Sequence, residues 1–182
     1  MVILVGASAS GKTEVARLLE RRYGIKKATT TTSRLPRVGE KDGVDYFFVS
    51  REAFERLIAD NRLIEHAIYN GNYYGCGKDQ AAENRSVVLD PNGLVHFLSL
   101  GDKGIVTFYL TAEEATRAAR MRGRGDRKED IEKRLQNDRV EFAPGKIHST
   151  DFTIKTDGRS IEDITDEVYG LYMEELKKRG LK

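Results

Sequence analysis

Gly6-Ala7-Ser8-Ala9-Ser10-Gly11-Lys12-Thr13 has the residue types and spacing of G-x-x-x-x-G-K-[ST], a loop that cradles the phosphates of a nucleotide. Gly6 and Gly11 allow backbone conformations and close approaches that a Cβ would block, so successive N–H groups can converge on an anion where a helix begins. Ala7, Ser8, Ala9, Ser10, Gly11 and Lys12 would hold a nucleoside triphosphate, with the Lys12 ammonium reaching its β- and γ-phosphates and the Thr13 hydroxyl available to Mg²⁺. Further along, Arg34 and Arg37 stand three residues apart around Pro36, in a stretch that cannot be a central strand. Two guanidinium forks in one loop suit a dianionic phosphate, because arginine donates bidentately and stays charged. From Arg117 to Arg139 basic residues outnumber acidic ones, and Arg122-Gly123-Arg124-Gly125-Asp126 is a hinge-like break between helices. Most charges of such a run form a solvated helix face, but arginines set between glycines can close over a nucleotide and neutralise a transferring phosphoryl group.

These groups need elements to position them. Val2-Ile3-Leu4-Val5 reads as a short buried strand, and Val15, Leu18, Leu19 and Tyr23 recur at helical spacing, with Gly24 as the helix stop. Lys26 to Thr32 is a β-branched run ending in four threonines, which is either a polar edge strand or a set of hydroxyls turned to a ligand. Asp42 to Val49 reads as a turn into a strand with Tyr46 at its start, and Ser50 caps a helix carrying Phe54 and Leu57 on one face. Leu63 to Gly75 is a hairpin turning at Asn70-Gly71. Glu65 alternates with Leu63 and Ala67 there, so its carboxylate either faces an enclosed pocket or snorkels to the surface. A short helix is expected from Asp79 to Asn84. Ser86 to Leu89 is a buried strand that ends at Asp90, the strand end where open α/β sheets bind ligands. Gly104 to Leu110 is a further strand, followed by Thr111-Ala112-Glu113-Glu114 as a capping box. Asp151 to Thr156 is the last strand, and Ser160 caps the last helix. Strands alternating with helices imply an α/β fold, a three-layer core with a parallel sheet.

The chain has 182 residues, enough for one domain with inserted subregions. Its net charge of +2 is too small to imply nucleic acid or a membrane as partner. The single cysteine, Cys76, excludes an intrachain disulfide and a multi-cysteine metal site. His66, His96 and His148 are scattered, no apolar run approaches a membrane span, and the chain starts directly in a strand, so a cytoplasmic protein, monomer or homodimer, is expected.

Taken in order, the P-loop, Thr31-Thr32-Ser33-Arg34-Leu35-Pro36-Arg37-Val38-Gly39-Glu40, Asp42 to Ser50, Ile64-Glu65 with Gly71-Asn72-Tyr73-Tyr74-Gly75, and Arg122 to Gly125 with Glu132 to Leu135 resemble guanylate kinases over nearly the whole chain. The resemblance implies a core at residues 1–29 and 77–182, a nucleoside monophosphate-binding region at 30–76 and an arginine-rich lid at 121–134. It also implies transfer of the ATP γ-phosphoryl group to GMP or dGMP with Mg²⁺. By the same resemblance Arg34, Arg37, Tyr46 and Tyr74 hold the acceptor's phosphate, Glu65 and Thr30 read the guanine, and Cys76 and Asp90 lie beside it. Arg124 and Arg134 are the lid arginines on the ATP phosphates, joined by Arg120. Lys12, Arg34, Arg124 and Arg134 form the catalytic set. The attacking oxygen of a monophosphate is already ionised at neutral pH, so no general base is required.

Three positions depart from the family's common pattern. Cys76 replaces a hydroxyl residue, Leu89-Asp90-Pro91-Asn92-Gly93 carries one acid where two are common, and Thr156-Asp157 stands for Asn-Asp near the adenine. Two other readings keep these residues in other roles: a kinase of this family with a changed acceptor, or a binding module without catalysis. Lys12→Ala should abolish the chemical step with every acceptor, measured as ADP release; activity retained in that variant would refute the phosphate-cradle reading of the loop.

Overall fold

The computed structural model describes residues 1–36, 39–69, 71–82 and 84–181. Along the chain run β1 (Val2–Val5), α1 (Lys12–Tyr23), β2 (Lys26–Lys27), β3 (Thr31–Thr32), β4 (Phe47–Phe48), α2 (Arg51–Ala59), β5 (Leu63–Tyr69) and β6 (Asn72–Gly77). The second half carries β7 (Arg85–Leu89), α3 (Pro91–Ser99), β8 (Val106–Thr111), α4 (Glu114–Gly123), α5 (Lys128–Glu141), β9 (Phe152–Lys155) and α6 (Ile161–Lys178).

Every residue of β1 is buried, as expected of an unbroken apolar strand with helices on both faces. Alternation sends Val2 and Leu4 to one side, where they pack with Val15 and Leu19 of α1 and Val168 and Tyr172 of α6. Ile3 and Val5 point the other way and meet Leu94 and Phe97 of α3. β1 pairs in parallel with β7 and β8, and the five-stranded sheet runs β2-β7-β1-β8-β9, parallel throughout. This is the three-layer α/β core that the alternation of elements implies.

A second, four-stranded sheet has the order β4-β3-β6-β5 and is mixed: β3 pairs in parallel with β4 and antiparallel with β6, and β5 is antiparallel to β6. α2 covers it through buried Phe54, whose ring stacks on Tyr73 at 5.0 Å. Burying such a ring contributes roughly 1.5–3 kcal/mol. α4 and α5 build a third, smaller cluster from Ala118, Met121, Ile131 and Leu135, and the turn between the two helices carries Arg124 and Asp126.

Ser50 and Ser160 cap α2 and α6 as expected, each accepting from the N–H three residues on. Three local expectations are corrected. The run from Lys26 to Thr32 is not one strand, because β2 belongs to the core sheet and β3 to the second sheet, so the chain crosses between sheets at 28–30. Thr111 closes β8 instead of capping α4; Glu113 occupies the cap without a side-chain bond, its own N–H given to Asp157. After β6 the described residues form a short 3-10 turn, Lys78–Gln80, and Ala81 and Ala82 do not continue it as the expected helix; Glu83 lies outside the described residues.

The turn out of β1 depends on a missing side chain. A Cβ on Gly6 would lie 2.3 Å from the Leu110 carbonyl oxygen and 2.7 Å from Ser10 Oγ, and the backbone there has φ +157°. Gly6→Ala should therefore lower the melting temperature by roughly 5 °C, as expected of a strained overpacked site; an unchanged thermal denaturation curve would show that the approach is not this tight.

Candidate nucleotide site

The loop between β1 and α1 lies at the carboxyl end of the central strand. Ala9 (φ 59°) and Gly11 (φ 102°) both take left-handed conformations within three residues, which gives the backbone the concave shape of an anion nest. Lys12 begins α1 and turns its ammonium back to the loop, donating to the carbonyls of Gly6 (2.5 Å) and Ala7 (2.8 Å). Burial pushes its pKa down to about 8, while the Asp138 carboxylate raises it and Arg117 lowers it. Thr13 follows in the first turn and lines, with Ala9, Lys12, Arg120 and Arg124, a pocket of about 330 Å³. Loop, threonine and two of the expected arginines therefore meet in one place.

The arginines expected to form a lid have partners within the chain. Arg124 holds Asp126 through Nε (2.9 Å) and Nη2 (2.5 Å), and Arg134 stands 3.7 Å from the same carboxylate. Arg120 donates to Ala9 O (3.1 Å) and to Thr156 Oγ1 (3.1 Å) and O (2.8 Å), so it supports the loop from behind while also facing the pocket.

The residues expected to hold the acceptor's phosphate form their own cluster. Arg34 reaches both Glu40 oxygens, at 2.8 and 3.0 Å, and lies over the rings of Tyr46 (5.6 Å) and Phe48 (5.7 Å). Tyr46 meets Tyr74 edge-on at 6.1 Å. The Glu40 hydrogen bond pushes the Arg34 pKa up further. Arg37 lies outside the described residues. Thr30 is half-buried where the chain crosses between sheets, and its carbonyl accepts from Phe47 N–H (2.9 Å).

Glu65 and Cys76 face each other across β5 and β6, beside a register shift between Leu63 and Glu65. Burial pushes the Glu65 carboxyl up to about 7; the Asp90 charge raises it further, and the backbone N–H of Cys76 and His96 oppose the shift. Cys76 is fully buried and its thiol is raised to about 12 by burial, then by Glu65 and Asp79, so it is a protonated thiol and no nucleophile at neutral pH. Asp90 caps α3, accepting from Gly93 N–H at 2.7 Å.

A cleft of about 600 Å³, a volume fit for a small-molecule ligand, lies between the phosphate loop and β5 of the second sheet. Gly6, Ser8 and Lys12 line one wall, Ala67 and Ile68 of β5 another, and Asp90 and Arg134 also reach it. Arg34, Tyr46 and Tyr74 gather on one another away from its lining, and Glu65 lines a separate 220 Å³ pocket with Asn61, His66 and His96. One pair escaped the sequence reading. Arg117 and Asp138 are both buried and bonded at 2.5 Å. Arg117 sits within a charge run, and nothing in the residue order distinguishes it from its solvated neighbours.

The sequence model of the guanylate kinase family matches residues 1–175. A guanylate kinase of Neisseria meningitidis serogroup B is 35% identical over 98% of this chain and 91% of its own length. That of Fusobacterium nucleatum is 36% identical, over 75% of this chain and 78% of its own. Among solved structures, guanylate kinase from Anaplasma phagocytophilum aligns with a TM-score of 0.72 and 26% identity, covering 96% of this chain and 85% of that one.

Between pH 4.5 and 7 the folded chain keeps a proton on Glu65 that the unfolded chain has released, so this group makes stability fall as pH rises through that window. Glu65→Gln should remove the fall, gaining melting temperature relative to the parent at pH 8 and not at pH 4. Equal gains at both pH values would show that the carboxyl titrates normally.

Proposed function

The chain belongs to the guanylate kinase family, and from that premise we infer that it is an ATP-dependent nucleoside monophosphate kinase that transfers the γ-phosphoryl group of ATP to GMP or dGMP, giving ADP and GDP or dGDP. The observation that carries the reading is the cleft in which the phosphate loop, through Gly6, Ser8 and Lys12, faces the second sheet, through Ala67 and Ile68. Donor and acceptor phosphates must meet between two such walls. We assign residues 30–76 to acceptor binding and 121–134 to the lid; the second sheet and the turn carrying Arg124 support those limits.

Transfer from one phosphate to another asks the protein for alignment and charge neutralisation. Backbone N–H groups of residues 7–12 and the Lys12 ammonium take the donor phosphates. Arg124 and Arg134 exchange Asp126 for them, which neutralises the charge spread over the transferring group. Arg34, with Tyr46, Tyr74 and Arg37, takes the acceptor phosphate in exchange for Glu40. The Thr13 hydroxyl, which lines the donor pocket beside Lys12, would hold Mg²⁺. The ion would supply positive charge to the donor phosphates and would arrive with the nucleotide, as Mg²⁺ usually does.

Guanine is read by hydrogen bonds. In its ionised form, which the free protein takes up only as pH rises through about 7, Glu65 accepts from the N1 and N2 donors that adenine lacks, and Thr30, Cys76 and Asp90 complete the surround. A thiol at 76 is a weaker donor than a hydroxyl, so discrimination rests mainly on the carboxylate. Among the described residues no helix is long and apolar enough to cross a membrane. The lone free cysteine fits a reducing compartment, and we place the enzyme in the cytoplasm with nucleotides as its partners.

ADP release from MgATP with GMP, dGMP, AMP, UMP and ribose phosphates tests the reading. Turnover is expected with GMP and dGMP, and Glu65→Ala should cost GMP selectivity over AMP. Turnover with AMP but not GMP would replace the guanine assignment with a changed acceptor, and silence with every acceptor would favour the binding module.

A further inference from the structure

Ser8 is gripped on three sides. Its N–H donates to Asp138 Oδ2 (3.0 Å), its hydroxyl to Asp138 Oδ1 (3.1 Å), and its carbonyl accepts from Arg117 Nη1 (3.3 Å). Arg117 Nη1 also donates to Asp138 Oδ2 at 2.5 Å, which closes the circuit between α4, α5 and the loop. The other loop carbonyls are held likewise: Gly6 and Ala7 by Lys12, Ala9 by Arg120, and Ser10 by Thr156 Oγ1 (3.1 Å). A planar peptide points its N–H opposite to its carbonyl, so holding the carbonyls of Ser8 and Ser10 aims the N–H groups of Ala9 and Gly11 away from Arg117 and Thr156. Resting on the phosphotransfer reading above, we propose that Arg117 and Asp138 are positioning residues for the reaction: their buried ion pair sets Ser8, and hence the phosphate cradle, at a fixed place relative to α5.

Two observations distinguish this from a device for stability. The side chains are only 8% and 10% exposed, and Arg117 Nε is buried without a hydrogen-bond partner among the described residues. A pair so desolvated and incompletely satisfied gives the fold little that two apolar side chains would not. What apolar residues cannot do is hold a backbone N–H and a carbonyl in one orientation. Asp138 also lies one helical turn beyond Arg134, and both line the cleft with Lys12. The contact with Ser8 therefore sets the distance from the lid arginine to the loop lysine. Arg117 has a second task here, since a bare carboxylate beside the cradle would repel the phosphates it serves, and the guanidinium cancels that charge.

The test is kinetic. In Arg117→Leu/Asp138→Leu the melting temperature should stay close to the parent's, while kcat with MgATP and GMP falls about tenfold or more, the cost of a misplaced donor. KM for GMP should stay within about twofold of the parent, because the acceptor cluster is elsewhere. Arg117→Leu alone, which strands the carboxylate, should raise KM for ATP about tenfold, and Arg117→Lys should restore that KM but not the full kcat. A folded double variant with the parent's kcat and KM for ATP would overturn the proposal. If the double variant does not fold, Asp138→Asn and Arg117→Lys decide: parental kinetics in both would overturn it, and lowered kcat in both would support it. MgADP binding, measured by calorimetry on the same proteins, separates this proposal from the kinase reading. Should the parent fail to turn over GMP, weaker MgADP binding by the variants still supports the pair as the setter of the loop, and unchanged binding refutes it.

Discussion

The site depends on how closely the chain can pass the end of β8 when it leaves β1. Gly6 passes so near the Leu110 carbonyl that no Cβ fits between them, and this approach starts the loop at the carboxyl edge of the parallel sheet. Parallel strands with helices on both faces bring all their carboxyl ends to one edge, so the segments leaving those ends gather there. The loop comes after β1, Asp90 after β7, and Thr156 after β9. The loop, Asp90 and Thr156 therefore gather at one edge of the sheet through topology, although they are far apart in the chain.

Each cation of the proposed site already has an oxygen partner within the chain. Lys12 rests on the loop's own carbonyls, Arg34 on Glu40, and Arg124 and Arg134 on Asp126. In the proposed reaction an entering phosphate would replace those oxygens, which would limit the desolvation cost of binding. Burial acts differently on Glu65 and Cys76. It raises the carboxyl of Glu65 and the thiol of Cys76 together, since the two face each other in one poorly solvated part of the second sheet.

The phosphate loop, the strand before it and the helix after it were legible from residue order, because glycines, a lysine and a threonine at set spacing determine a local backbone whatever surrounds it. The caps at Ser50 and Ser160 were legible for the same reason: a side chain three residues from its partner needs no tertiary help. The capping box at Thr111 failed because β8 and β9 run in parallel through Thr111 and Lys155, and strand pairing outweighed a local cap. The run from Lys26 to Thr32 failed similarly. Two sheets compete for residues 26–32, and only packing decides where one strand ends and the other begins.

By itself the sequence determined the α/β order of elements, the phosphate loop and the family to which its spaced motifs belong, all of which are written in neighbouring residues. Tertiary structure alone decided which charges are buried. Arg117 and Asp138 look like members of a solvated charge run until two helices and a loop close over them, because desolvation is a property of what surrounds a side chain and not of its place in the chain.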